Sequence, residues 1–182
     1  MIYKPVRLTS DEIDFIGYVT SSNSFPWFIQ PFQTNVKTFN ASKHTTGNSF
    51  FFSHTLMTRN PSEEVGLVNS QHYDFFETIF LRWINDNGLD LPCKIYRASL
   101  NLTIHNDKDM SIPHYDHYWP HWNWIMYLNG SSASTVLLDE DGKIVEEVAA
   151  KQSWACAFQK QLHAHRYPKV NEPRYVCVFT YI

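Results

Sequence analysis

A chain of 182 residues, of which 43% are hydrophobic and 16% aromatic, can bury the core of one domain of ordinary size. Its formal net charge of −3 and its pI near 6.3 show no excess of basic residues, which disfavours a nucleic-acid partner. No stretch resembles a signal peptide or a membrane span, and Cys156 and Cys177 lie in apolar runs typical of buried free thiols, so we expect a cytoplasmic protein without a membrane partner.

The first half of the chain predicts two helices and a few strands. Phe76, Phe80 and Trp83 follow the three-to-four spacing of an amphipathic helix, and Gly88 can supply its left-handed C-cap. Ser10 is the expected N-cap of the shorter helix that comes first. In chain order, the expected elements are an edge strand over 1–8, a helix over 10–20, a polar loop over 33–49, a strand over 49–57, a turn at 60–62 and a helix over 70–87.

The second half of the chain predicts seven or eight short strands at close spacing. Strands at this rhythm indicate a mainly β jelly roll of the α+β class, with the two N-terminal helices supporting one face. We therefore expect a single domain over 1–182, in which 1–93 supports a jelly-roll core over 94–182 that contains the site. The expected strands include 94–104, 122–128, 135–138, 143–148, 154–158 and 175–181, with a Gly-containing turn at 139–142.

The tripeptide His114-Tyr115-Asp116 is the first candidate for chemistry. In a strand, residues two apart project to the same side, so this imidazole and carboxylate can point together into the interior. With a distant second imidazole they would form a 2-His-1-carboxylate triad, which leaves positions open on Fe(II). His163 and His165 are both candidates for the third ligand, because their equal parity directs both to one side of a strand.

Arg174 begins the last predicted strand and shares a face with Val176 and Val178. It is either a surface arginine at a strand edge or an inward-pointing one, and the valines favour the second reading. A buried guanidinium needs an anion, and the terminal carboxylate of a dicarboxylic acid fits its bidentate fork. The strand over 94–104 offers alternating polar residues that could line the same cavity: Arg97, Ser99, Asn101 and Thr103.

The histidines and rings around the tripeptide have less specific readings. His117 has the opposite parity to His114, so it should face away if the strand continues, and His121 follows Pro120 and is expected at the rim, where it could touch substrate. Trp119 and Trp122 could line a substrate groove, although large rings are more often core or rim.

The tract from Ile95 onward resembles the Fe(II)- and 2-oxoglutarate-dependent oxygenase superfamily, in its prolyl-4-hydroxylase-like branch, and particularly the small single-domain phage and bacterial type. The order of parts is the specific feature: H-x-D, an aromatic strand, a hairpin, a histidine and then arginine. Where many relatives have a Gly-Gly-x-Thr turn, this chain has SSAST (131–135), a departure that affects the substrate-side loop and not the metal ligands. The matching motifs are IYRASLNL (95–102), HYD (114–116), WIMYLNG (124–130), STVLLDEDGK (134–143), WACAF (154–158) and LHAHRYPKVNEPRYVCVFTY (162–181).

The resemblance implies a double-stranded β-helix of cupin-like type that uses Fe(II), 2-oxoglutarate and O2, with ascorbate as a candidate reductant. It selects His163 over His165, because the distal histidine of the family precedes the arginine by ten or eleven residues. It also implies that Arg174 binds the far carboxylate of 2-oxoglutarate and that Asn101 and Tyr127 contact cosubstrate or substrate. The implied reaction is hydroxylation of a peptidyl-prolyl, other peptide or small substrate, with succinate and CO2 as coproducts.

Two alternatives use the same fold. One is a jelly-roll binding module without catalysis, which would need neither a buried Arg174 nor open coordination positions. The other is a zinc-binding protein of cupin type, since a site without thiolates does not exclude zinc.

Overall fold

The computed structural model describes residues 1–30, 50–59 and 66–182. The polar loop expected over 33–49 and the turn expected at 60–62 lie outside these residues. Within them, no helix is long and apolar enough to cross a membrane. The helices are α1 Ser10–Ser21 and α2 Tyr73–Asp86, and the strands are β1 Ile2–Pro5, β2 Phe28–Gln30, β3 Phe51–Thr58, β4 Leu67–Val68, β5 Ile95–Thr103, β6 Trp122–Tyr127, β7 Ser134–Leu138, β8 Ile144–Ala149, β9 Trp154–Gln159, β10 Leu162–His165 and β11 Arg174–Tyr181.

The strands form two antiparallel sheets. The main sheet has the order β1-β9-β6-β11-β5-β3-β2, with β4 paired to β3, and the second sheet has the order β10-β7-β8. Strands β6, β9 and β11 lie in the main sheet, while β7, β8 and β10 form the second sheet. The second half of the chain therefore crosses repeatedly between the two sheets. This is the arrangement of a β-sandwich of jelly-roll type, as the sequence predicts.

Both helices pack on the outer face of the main sheet. The apolar side of α2 meets the rings and small side chains of β6, β9 and β11 in one buried cluster, to which α1 contributes Ile16 and Val19. The helix-facing residues of β11 are Cys177, Phe179 and Tyr181. The prediction of helices supporting one face is confirmed.

The first helix corrects one sequence prediction. Its N-cap is Thr9 and not Ser10, because the Thr9 hydroxyl accepts the Glu12 N–H while the Glu12 carboxylate accepts the Thr9 N–H. This reciprocal capping box satisfies two backbone donors, and a cap at Ser10 would forgo it. Gly88 adopts φ +65° after α2, which confirms the left-handed position expected there.

The inner face of the main sheet meets the second sheet. Val176 and Val178 of β11 pack there with Ile125 and Tyr127 of β6 and with Leu137 of β7. The two sheets do not close completely, and a cavity of about 240 Å³ remains between them at one end. The candidate site lies in this cavity.

Candidate metal and anion site

His114 and His163 come from segments 49 positions apart in the chain, and backbone pairing holds them opposite each other. The His114 N–H donates to the His163 carbonyl at 2.9 Å, and the His163 N–H donates to the His114 carbonyl at 3.0 Å. Met110 makes a similar isolated bridge to Arg166, so the segment before His114 runs antiparallel along the free edge of β10. This pairing brings the two imidazole rings to a centroid distance of 4.5 Å.

Each of these imidazoles is oriented by a backbone carbonyl two residues earlier. Nδ1 of His114 lies 3.1 Å from the Ile112 carbonyl oxygen, and Nδ1 of His163 lies 3.0 Å from the Gln161 carbonyl oxygen. A carbonyl oxygen only accepts, so Nδ1 must carry the proton and donate. In the neutral ring, Nε2 then keeps its lone pair, which is the state that a metal ligand needs.

Asp116 completes the cluster. Ligand atoms of His114, Asp116 and His163 all lie within 4.8 Å of one another, and Asp116 Oδ2 is 3.4 Å from His163 Nε2. Arg97 donates from Nη1 to the other carboxylate oxygen, Oδ1, at 3.3 Å, and from Nη2 to the Ser99 hydroxyl. Arg97 therefore holds one oxygen and leaves the second directed at the histidines.

The pKa shifts of the cluster suit a cation. Burial lowers the pKa of His114 to about 4, and the neighbouring His163 adds to the shift. Burial alone would raise the pKa of Asp116, but its contact with His163 and the nearby His114 and Arg97 outweigh it and hold that pKa well below its usual range. At neutral pH the His114 ring is uncharged and the carboxylate is ionised, as binding of a divalent metal requires.

Arg174 lies at the floor of the same cavity and is only 4% exposed. Its Nη2 donates to the Thr135 hydroxyl at 2.9 Å, and its guanidinium carbon lies 5.5 Å from the centre of the Tyr127 ring. Its buried Nε has no hydrogen-bond partner, and no carboxylate among the described residues forms an ion pair with it. Burial lowers the pKa of Arg174, so the charge is held at a cost that an incoming anion would relieve.

His163 and His165 both line the cavity, as their equal parity predicts. Only His163 joins His114 and Asp116 among the described residues, because the backbone pairing places it opposite His114. His165 lies two residues further along β10, opposite Thr135. There, burial and the Arg174 charge hold the pKa of His165 well below the usual range.

Of the two other residues predicted to contact cosubstrate or substrate, only Asn101 lines the cavity. Its buried Oδ1 has no hydrogen-bond partner among the described residues. Tyr127 is fully buried behind the floor, where its hydroxyl donates to the same Thr135 oxygen that Arg174 binds. Tyr127 can therefore position the anchor and does not itself face the cavity.

The three weaker substrate candidates, Trp119, His121 and Trp122, do not line the cavity. The rim position predicted for His121 is wrong: the side chain is 3% exposed, because its Nδ1 turns back to the Trp119 carbonyl oxygen at 2.8 Å. Trp122 stacks on Tyr181 on the helix side of the main sheet. His117 is also buried and its Nε2 lies 2.8 Å from the Thr180 hydroxyl, consistent with a structural role.

Sequence reasoning missed Thr135 and Arg59, which also line the cavity, and the contact of Arg97 with Asp116. The alternation of polar residues in β5 marks Arg97 as cavity-facing but does not identify its partner. Thr135 carries no sequence signal, because it lies on β7 of the second sheet and only the packing of that sheet on the main sheet brings it to Arg174 of β11.

No family model and no curated protein sequence matches the chain. Solved structures match it in fold. An oxidoreductase of the 2OG-Fe(II) oxygenase family from Burkholderia pseudomallei superposes with a TM-score of 0.59 and 13% identity, over 96% of this chain and 92% of that chain. The chain has the fold of this oxygenase.

Two further structures extend the similarity to oxygenase folds of different function. The epimerase SnoN from nogalamycin biosynthesis, in complex with Fe3+, alpha ketoglutarate and nogalamycin RO, matches with a TM-score of 0.55 and 9% identity, over 100% of this chain and 78% of that chain. A prolyl hydroxylase from Trichoplax adhaerens, bound to a hypoxia inducible factor peptide, matches with a TM-score of 0.53 and 8% identity, over 94% of this chain and 90% of that chain. At these identities the oxygenase fold is shared, while the prolyl-4-hydroxylase-like branch and the phage and bacterial type stay predictions.

Proposed function

We propose that this chain is an Fe(II)- and 2-oxoglutarate-dependent dioxygenase that hydroxylates an organic substrate and forms succinate and CO2 as coproducts. The observation that carries the proposal is the presence, in one cavity, of the His114–Asp116–His163 cluster and a buried arginine that lacks a carboxylate partner among the described residues. The oxygenase fold supports it independently.

The donor set fits iron. Two imidazoles and one carboxylate, without a thiolate, are the facial ligands of non-haem Fe(II) oxygenases and leave open positions on the ion. His114, Asp116 and His163 would hold the metal, and the carbonyls of Ile112 and Gln161 would keep the two rings aimed at it. When bound, iron supplies the oxygen activation that couples decarboxylation of 2-oxoglutarate to oxidation of the substrate.

The floor of the cavity fits the far carboxylate of 2-oxoglutarate. Arg174 offers a buried guanidinium whose Nε–H has no hydrogen-bond partner among the described residues, and the Thr135 hydroxyl lies beside it. A carboxylate placed there would be neutralised by a charge-assisted hydrogen bond, and Tyr127 would hold Thr135 from behind. Asn101 is positioned on the cavity wall, where its side-chain oxygen can accept a hydrogen bond from a bound ligand.

The test is binding of Fe(II) and 2-oxoglutarate without oxygen, followed by exposure to air. We expect a weak visible charge-transfer absorption to appear only when both are present, and succinate to form once oxygen is admitted. Tight zinc binding with no 2-oxoglutarate binding would instead favour the cupin-type zinc protein, and binding of neither would favour a binding module without a metal. Adding ascorbate in parallel tests its expected role as reductant.

A further inference from the structure

The described residues that line the cavity carry more positive charge than the proposed metal and cosubstrate can use. Among them are three arginines, Arg59, Arg97 and Arg174, and one carboxylate, Asp116, which leaves these described residues with an excess of two positive charges. Fe(II) and the 2-oxoglutarate dianion carry equal and opposite charges, so binding both would leave the excess unchanged.

The arginines differ in depth. Arg174 is 4% exposed at the floor, the Arg97 side chain is 25% exposed, and Arg59 is exposed to solvent. Tyr118, which also lines the cavity, is 72% exposed. Arg59 and Tyr118 therefore mark the mouth of the cavity. Arg59 follows the end of β3 that pairs with Ala98, next to Arg97, whereas Arg174 pairs with Thr103 at the other end of β5.

Arg59 and Arg97 are both attracted by the same carboxylate, that of Asp116. Arg97 already donates to Asp116 and to Ser99, whereas no described residue forms an ion pair or hydrogen bond with the Arg59 side chain. Although Arg59 is exposed as a residue, the surrounding protein partly desolvates its guanidinium. This desolvation first, and then repulsion by the Arg97 charge, lower the pKa of Arg59, and the attraction of Asp116 only partly offsets them. Two like charges at a cavity mouth are stabilised most simply by an anion that binds between them or beside them.

We propose that the substrate of this site carries a carboxylate or phosphate group, which Arg59 binds at the mouth of the cavity while Arg97 reinforces the positive field. The inference rests on the proposed function, because it assigns the metal and Arg174 to the cosubstrate. The rings of Phe51, Tyr115 and Tyr118 line the same cavity and offer flat apolar surface to the carbon skeleton that joins the anionic group to the reacting carbon.

The experiment loads the protein with Mn(II) and 2-oxoglutarate, which fills the floor and metal positions without turnover, and adds small probes followed by NMR. Butyrate and propyl phosphate are the anionic probes, and butyramide and 1-propanol are their neutral counterparts. We expect Mn(II) to broaden the proton signals of a bound anionic probe in a saturable way, with little effect on the neutral ones. Whichever anion binds more tightly distinguishes a carboxylate-bearing from a phosphate-bearing substrate.

Variants then identify the residue. Arg59→Gln should weaken binding of the preferred anion by about ten-fold, and Arg59→Lys should retain most of it, because a charge-assisted contact depends on the cation. Arg7→Gln is the matched control, since Arg7 is an exposed arginine paired with Asp86 outside the cavity. It should leave anion binding unchanged.

The outcomes separate the two proposals. If Mn(II) and 2-oxoglutarate bind but neutral and anionic probes bind equally, or Arg59→Gln binds the anion as the unchanged protein does, the substrate inference is wrong and the proposed function stands. If the anionic probes only displace 2-oxoglutarate, they bind at Arg174 and the inference is again wrong. If the protein binds neither Mn(II) nor 2-oxoglutarate, both proposals are overturned.

Discussion

The two faces of the main sheet are made from the same strands but have different physical character. Along β11, Cys177 and Phe179 face the helices in a closed apolar cluster, while Arg174 and Val176 face the second sheet and the cavity. The helix face is filled by side chains. The cavity face is left open and holds positive charges that the described residues do not balance. We infer that the helix face provides stability and that the cavity face is organised around ligands.

The largest effect is expected from a substitution in the metal cluster on the cavity face. Asp116→Ala should abolish metal binding and succinate formation, because it removes the one carboxylate that lines the cavity among the described residues. Fe(II) or Mn(II) titration and succinate assays measure the loss. Asp109→Ala is the control, because Asp109 is an exposed carboxylate paired with Arg166 in the loop before the tripeptide. Undiminished succinate production by Asp116→Ala would reject the triad.

The helix face should respond in the opposite way. Phe80 is fully buried and stacks on Phe179 with ring centroids 4.6 Å apart, so Phe80→Ala should lower the free energy of unfolding by about 3–5 kcal/mol. Denaturant unfolding measures it, and the milder Phe80→Leu should cost clearly less. Metal affinity of the protein that remains folded should be unchanged, and a parallel loss of affinity would mean that the two faces are not independent.

Arg174→Gln separates anchoring from stability on the cavity face. Loss of the Arg174 guanidinium, which would pair with the far carboxylate of 2-oxoglutarate, should weaken 2-oxoglutarate binding by about 100-fold, or about 2.7 kcal/mol. The same change should leave the ligand-free protein equally or more stable, because it removes a buried charge that no described carboxylate balances. Calorimetric binding and thermal unfolding test the pair of outcomes.

Arg166→Gln is the surface counterpart of that change. Arg166 pairs with Asp109 and Glu147, and its substitution should alter stability by about 1 kcal/mol or less and leave 2-oxoglutarate binding intact. Equal effects of the two substitutions on binding would remove the role assigned to Arg174.

The last expected effect appears only at acid pH. Burial, with repulsion from Arg59, lowers the pKa of His117 to about 3, so the folded protein keeps this ring neutral while the unfolded chain protonates it near the ordinary value of 6.5. The contribution of this ring to stability is therefore fully present above pH 6.5 and is lost as the pH drops toward 3, since the unfolded state binds the extra proton. His117→Gln should flatten the slope by about 1 kcal/mol per pH unit between pH 6 and 5 in metal-free protein. An unchanged slope in denaturant unfolding at these two pH values would contradict the assignment.

The fold was largely predictable because its signals are local. The three-to-four spacing of Phe76, Phe80 and Trp83 indicates α2, and alternation indicates the strands that follow Lys94. The N-cap of α1 was misplaced by one residue, because Ser10 is as good a capping type as Thr9 and only the reciprocal contact with Glu12 decides between them. His121 was misplaced because a residue beyond Pro120 can turn inward as easily as outward.

The sequence by itself determined which side chains can share a face: His114 with Asp116, His163 with His165, and Arg174 with Val176. Periodicity is a property of the backbone and can be derived without the fold. Only the tertiary structure decided which of these faces meet. The pairing of His114 with His163 depends on the register between segments far apart in the chain. The contacts of Arg97 with Asp116 and of Thr135 with Arg174 depend on how the sheets and loops pack on one another. That register is determined by packing of the whole sandwich, because each one-residue slip would turn every side chain of the strand to the opposite face.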